Sequence, residues 1–230
     1  MSRYGMAKRA HRSRRREEPL SRDCIIDASI ELLDVSGESG LTFRALSERL
    51  DTGAGAIYWH IANKDDLLAA ACDAVVAHTM NDIVETTPEA TIRAVALGFF
   101  EVIDEHPWVG SALTSSPELS PIVRILEPLG RQIRALGVPG KLEWRAVGTL
   151  MAYILGVSRQ NAANGEFART RGLVRSDFLE AVSNAWSQLD PTKYSFARSV
   201  ARKIRDHDDR EDFLAGIDLI LTGIKSSGGR

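Results

Sequence analysis

From Leu20 onward, apolar residues recur at three- and four-residue spacing, the period of a helix that turns one face to a core. Ile25, Ile26, Ala28, Ile30, Leu32 and Leu33 make the first such stripe. Ser21 stands in the N-cap position, Leu20 and Ile25 occupy the staple positions around it, and Gly37 marks the expected end. Leu41-Thr42-Phe43-Arg44-Ala45-Leu46 repeats the device, with Thr42 as cap and Leu41 opposite Leu46, in a helix ending near Leu50. The pattern then predicts a short helix from Ala54 to His60. A longer one opens at Asn63 and runs to about Val84, with Asp65 and Asp66 in the turn where the helix dipole favours carboxylates.

Pro88 is the next break. Beyond it the spacing predicts helices near 90–105, 110–116, 121–136, 141–164, 175–188, 194–204 and 210–225. They are separated by Pro107, Pro117, Pro139, Gly165, Gly172 and Pro191. No run alternates with period two and no fixed-length repeat recurs, so the fold class is all-α. The chain divides into an arm (1–20), a three-helix unit (21–68), a connecting helix (69–86) and a helical bundle (87–228).

Composition narrows the class. The 230 residues are 44% hydrophobic and 26% charged with a net charge of −2, which suits a packed core and excludes global disorder. The longest apolar run, Val147 to Val157, is about half of what a membrane span requires. The N-terminus lacks the apolar core of an export signal, so the expected location is cytoplasmic, with no membrane partner. Cys24 and Cys72 form neither a disulfide framework nor a CxxC pair.

Charge is uneven. Residues 1–16 carry Arg3, Lys8, Arg9, Arg12, Arg14, Arg15 and Arg16 and no carboxylate. Such a block reads either as a solvated tail or as an arm that displaces counterions from nucleic acid. Residues 1–80 as a whole hold eleven Lys or Arg against twelve Asp or Glu, so attraction to DNA must come from the arm and a few placed residues.

Residues 41–68 carry the chemistry. A capped short helix, a glycine-containing turn and a second short helix are the helix-turn-helix arrangement, whose second helix enters the major groove. Ile57 and Ile61 share one face and can pack on Leu46 and Leu50, which leaves Tyr58, Trp59 and His60 at the exposed end. Lys64 places a cation where the helix dipole opposes it; beside the free N–H groups of that turn it reads as a phosphate contact, or else as a solvated lysine.

In these elements the segment resembles the DNA-binding domain of the tetracycline-repressor (TetR) family of bacterial transcription regulators. The resemblance rests on Leu41-Thr42, Arg44, Leu46, Ile57-Tyr58-Trp59-His60, Asn63-Lys64 and Leu67-Leu68 in unbroken register. It covers residues 21–80 strongly. Beyond that only His207 to Ile224 looks like the closing helix of the family's regulatory domain. The resemblance implies a homodimer on a double-stranded palindromic operator, with Arg44 near base edges and Tyr58, His60 and Lys64 on phosphates. Residues Gly53, Ala54, Gly55 and Ala56 depart from the larger polar readers frequent in the family. Alanine meets a thymine methyl but cannot hydrogen-bond a base, so discrimination is expected from Thr42, Arg44, Thr52 and DNA shape. Arg9, Arg12, Arg14, Arg15 and Arg16 of the arm would add minor-groove contacts.

Small residues Gly148, Ala152 and Gly156 on one helix, and Phe213, Gly216, Ile220 and Gly223 on the last, read either as tight packing within a subunit or, by the resemblance, as a two-fold interface of four helices. Phe99, Ile103, Trp108, Leu126, Trp144, Met151 and Trp186 are core residues or, collectively, the lining of a pocket for a small-molecule effector, with His106 as polar anchor or helix cap. No metal, cofactor or catalytic motif is found: the histidines are scattered, and HExxH, GxSxG and P-loop patterns are missing. A ligand-released repressor is the leading reading; a DNA-binding protein without an effector and a helical enzyme remain its rivals.

Overall fold

The computed structural model describes residues 20–81, 83, 87–115 and 120–228; the basic arm lies outside them. The described residues form eleven α-helices and one 3-10 turn, without strands. They separate into two compact units, divided between Ala71 and Cys72.

The first unit contains α1 (Arg22–Gly40), α2 (Phe43–Leu50), α3 (Ala54–Tyr58) and the start of α4 (Lys64–Asn81). Ser21 caps α1 by accepting the Cys24 N–H at 3.1 Å, and Thr42 caps α2 by accepting that of Ala45 at 3.1 Å. The predicted stop at Gly37 is a break inside α1, where φ is 62° and ψ −170°, and helical structure resumes to Gly40. Asp51 closes α2 in the left-handed region (φ 53°) and its N–H returns to the Ser47 carbonyl; aspartate is among the few side chains that tolerate this. Ile25, Leu33, Leu41, Leu46, Ile57, Ile61 and Leu67 make the core. Each such burial removes about 1.5–3 kcal/mol of exposed apolar surface, enough to hold a five-residue helix that could not stand alone.

The second unit takes the rest of α4 and adds α5 (Pro88–Glu105), α6 (Pro107–Ser115), α7 (Ser120–Ala135), α8 (Gly140–Thr170), α9 (Arg175–Ser187), α10 (Ser195–Val200), a 3-10 turn (Lys203–Asp206) and α11 (Asp209–Gly228). Thr87 caps α5 and Pro88 opens it, where a missing N–H costs nothing. The core lies where α5, α7, α8 and α11 face each other, through Ile92, Phe99, Ile103, Ile125, Leu129, Leu150, Ile154, Phe213 and Ile217. On the α5–α11 seam, Arg93 pairs with Asp218 at 2.6 Å, Glu101 with Arg210 at 3.2 Å, and Glu89 with Lys225. No helix among the described residues is long and apolar enough to cross a membrane.

Other predicted boundaries moved too: the short helix expected over 54–60 ends at Tyr58, and that expected near 110–116 opens at Pro107. The longest helix, α8, runs through Gly165 to Thr170, because the edge contact of Phe167 with Phe178 and the Arg171 guanidinium over Phe167 anchor its final turns. The stop is Gly172 (φ 66°): its N–H meets the Arg169 carbonyl, and the Leu173 N–H meets that of Ala168, a Schellman end that needs a left-handed residue. The segment predicted as one helix over 194–204 is the six-residue α10 followed by the 3-10 turn.

Asp208 caps α11, its Oδ1 accepting the N–H groups of Glu211 and Arg210, both at 2.9 Å. The Glu211 bond above all, helped by that of Arg210, holds the carboxyl below its ordinary 3.8. A folded pKa below the unfolded one makes this contribution complete above that value and progressively lost as pH falls through the folded pKa. Melting temperatures followed from about pH 5 to about pH 2 are expected to fall less steeply at the acid end in Asp208→Ala than in the parent; identical slopes would remove the cap from the acid response.

Candidate nucleic-acid interface

Ile57 and Ile61 are buried on one side of α3, and that anchoring turns Tyr58, Trp59 and His60 to solvent. The Tyr58 ring is fixed by stacking on Phe43, with centroids 4.3 Å apart and planes 11° off parallel. Trp59 is 89% exposed, a large apolar surface that folding of this unit gains nothing by presenting. An open hollow of about 550 Å³ is lined by Arg44, Ser47, Glu48, Asp51, Thr52, Gly53 and Ala54. Arg44 Nε sits 3.0 Å from Glu48 Oε1 in an exposed pair one turn apart, a contact worth well under about 1 kcal/mol that a guanine edge or phosphate can displace. Thr52 is half-buried, and Gly53, Ala54 and Gly55 are exposed, with Ala56 half-buried in the middle of α3.

Thr42 is engaged as the sequence indicates, whereas Lys64 has a structural duty the sequence did not disclose. The Thr42 oxygen is engaged as the α2 cap. Lys64 Nζ donates to the Glu38 carbonyl at 2.5 Å, in the stretch of α1 beyond its break. Asn63 Oδ1 accepts the Asp66 N–H at 2.8 Å and Asp66 Oδ2 accepts the Ala62 N–H at 3.1 Å. The expectation of a wholly free N-terminal turn at Lys64 is therefore corrected: this turn is reciprocally capped, and the cation satisfies a carbonyl near the Gly37 break. Each cation described in the first unit has a partner in the chain: Arg22 with Asp66 at 4.0 Å, Arg49 with Glu31, and Arg44 and Lys64 as above.

In the second unit, the structure buries Phe99, Ile103, Trp108 and Met151 and half-buries Leu126. His106 is half-buried at the α5–α6 corner, edge-on to Trp108 with centroids 6.1 Å apart. Two proposed pocket residues do not join them. Trp144 is 72% exposed and Trp186 39% exposed, because they project from the outer faces of α8 and α9.

The interface candidates also divide. Phe213 is buried within its own subunit, stacked on Phe100 at 4.7 Å and Tyr153 at 5.6 Å. Gly216 faces Tyr153 of the same chain so closely that a β-carbon there would overlap the ring, and Tyr153 Oη donates to the Phe213 carbonyl at 3.2 Å. Both residues belong to the α8–α11 seam. Gly148, Gly156 and Gly223 face open space, Ala152 is exposed, and half-buried Ile220 lines an apolar groove of about 360 Å³ with Val138, Leu142, Ala146 and Ile224. Leu219, 76% exposed on the outer face of α11, was missed, although its place between Gly216 and Gly223 in the helical repeat could have found it.

Among the described residues no group of three or more His, Cys, Asp or Glu could hold a metal. Burial, with the charge of Asp73 adding to it, pushes the Cys72 thiol up to about 12, which leaves it unreactive near neutrality.

Residues 25–71 match the family model described as bacterial regulatory proteins, tetR family. A TetR transcriptional regulator from Streptomyces coelicolor is 50% identical in structural alignment, over 91% of this chain and 100% of that one, with a TM-score of 0.82. The transcriptional repressor DrrR1 of Streptomyces coeruleorubidus is 26% identical over 217 residues, which is 93% of this chain and 80% of the repressor. An HTH-type transcriptional regulator of Saccharopolyspora erythraea is 34% identical over 115 residues, 49% of this chain; the matched part spans about half of that regulator, 48% of its length.

Proposed function

Because the chain belongs to the TetR family of transcriptional regulators, a family of DNA-binding proteins and not of enzymes, we propose that it is a repressor. It binds a palindromic operator as a homodimer and leaves it when a small apolar or amphipathic effector occupies the second unit. The observation that carries the DNA-binding half is the exposed Tyr58-Trp59-His60 end of the helix-turn-helix, held outward by buried Ile57 and Ile61. Phenol and imidazole are donors suited to phosphate oxygens, and guanidinium can take guanine at two atoms. With the described cations of the first unit each partnered inside the chain, the residues that bring free positive charge to DNA are Arg9, Arg12, Arg14, Arg15 and Arg16 of the arm, aided by Arg44 and Lys64 on exchanging partners.

The homodimer is supported by the outer faces of α8 and α11. Trp144, Ala152, Gly156, Leu219 and Gly223 leave a surface of small and apolar groups with open space before it. A two-fold axis requires such a face to complement itself. It also sets the spacing of the two reading heads, about one turn of DNA or a multiple of it. An effector acts by favouring a dimer geometry that misses that spacing.

The test is an operator selected from random DNA, followed by a base-substitution profile. Arg44→Ala is expected to flatten the profile at one position, losing about 1–3 kcal/mol of discrimination there. Lys64→Ala is expected to weaken all sequences alike and to reduce the salt slope by about one. Equal effects of both variants on every operator would defeat the division into base reader and phosphate grip.

A further inference from the structure

Three serines of the described second unit and its neighbour are fully buried polar residues: Ser29, Ser158 and Ser183. Ser29 donates to the Ile25 carbonyl at 2.6 Å, and Ser183 Oγ accepts from Arg205 Nε at 3.2 Å. Ser158 Oγ has no hydrogen-bond partner among the described residues. Several other hydroxyls along these helices are spent locally. Ser29, Ser47, Thr79, Thr149, Ser187 and Thr222 each donate to the carbonyl four residues earlier, a bond open to any helical serine. Ser158 makes no such bond and keeps its hydroxyl buried within the helices of the second unit. A buried hydroxyl without a partner is costly, and natural cores rarely keep one without a use for it.

Its surroundings indicate the use. One turn on, Asn161 Nδ2 donates to Asp104 Oδ1 at 2.8 Å, which sets this stretch of α8 against the end of α5. The adjacent residue, Arg159, meets α6 so closely that a β-carbon at Gly110 would lie 2.7 Å from Arg159 Cγ and 3.5 Å from Ile103 Cγ2. The α8 turn with the orphan hydroxyl thus borders the α5–α6 corner that carries Ile103 and Trp108, both buried.

We propose that Ser158 is the polar reader of the effector site, so that the second unit takes a molecule that is apolar except for one hydroxyl or carbonyl placed to bond Ser158 Oγ. This rests on the reading of the chain as an effector-released regulator and names the class of effector. A ligand reaching a residue with no exposed surface must part the contacts of α8 with α5 and α6, and that displacement is the signal passed on by binding.

The experiment uses the full chain and a matched pair of probes, 2-naphthol and naphthalene, which differ by one hydroxyl. The parent is expected to bind 2-naphthol about tenfold more tightly, the worth of one buried hydrogen bond. Ser158→Ala and the near-isosteric Ser158→Cys are expected to bind the two probes within about twofold of each other. Without probe, Ser158→Ala is expected to melt about 2–4 °C higher, because an unsatisfied buried group has gone. A preference for 2-naphthol that survives both substitutions, or a lower melting temperature in Ser158→Ala, overturns the role of Ser158. Equal binding of both probes by the parent overturns it too, while leaving an effector site in place. Failure of 2-naphthol to bind at its solubility limit overturns this effector class, while release of operator DNA by a small molecule of other chemistry would leave the effector reading standing.

Discussion

Phe213→Ala is expected to lower the stability of the second unit by about 3–5 kcal/mol, the usual cost of deleting a buried aromatic ring. Phe213 is 1% exposed and stands between Phe100 of α5 and Tyr153 of α8, so its removal opens a void that three helices line. Tyr153 also bonds the Phe213 carbonyl across the narrow gap at Gly216, and that seam cannot slide to fill the space without driving Gly216 into the ring. The decisive feature is concentration. A core residue lowers the melting temperature by the same amount at low and high protein concentration, whereas a residue of a subunit interface makes the loss depend on concentration. Thermal melts over a hundredfold range of protein concentration, with curves displaced in parallel, are the expected result. A loss that vanishes at high concentration would return Phe213 to the interface.

Leu219→Asp is expected to do the reverse. The side chain is largely exposed on the outer face of α11, near Ile220, Ile224 and the open Gly223. A carboxylate there costs the folded subunit little, since water can reach it. Two copies brought face to face would bury that charge without a partner, which is strongly unfavourable. Sedimentation should therefore show a folded monomer with unchanged helix content. Operator affinity should fall by about a hundredfold or more, because the second head no longer binds from an effective concentration set by the first. A variant that sediments as the parent does, with full operator affinity, would show that this face of α11 is not where two copies meet.

These two residues lie six apart on one helix, and the sequence treats them much alike: both are large and apolar on a helix whose small residues recur at three- and four-residue spacing. Periodicity fixes the angle between side chains around a helix axis. It does not say which of two apolar faces meets the protein's own interior when both could. Phe213 and Gly216 turned inward and Leu219 outward, and only the packing of α5 and α8 against α11 decided it. Trp144 is the same case on α8, where the neighbouring Val147 and Met151 are buried and the tryptophan is left outside.

What was legible from residues alone was local. Ser21 and Thr42 cap helices because a hydroxyl reaches the N–H three positions on, whatever surrounds it. The helix-turn-helix was legible because its determinants, from the Thr42 cap to the Asn63 turn, are contiguous in the chain and interact over one or two helical turns. Tertiary structure decided the rest: that Lys64 serves the Glu38 carbonyl, and that α8 survives Gly165 because Phe178 supports Phe167. Each of these depends on a group distant in sequence, and the energy that places it comes from a contact that exists only once the chain has folded.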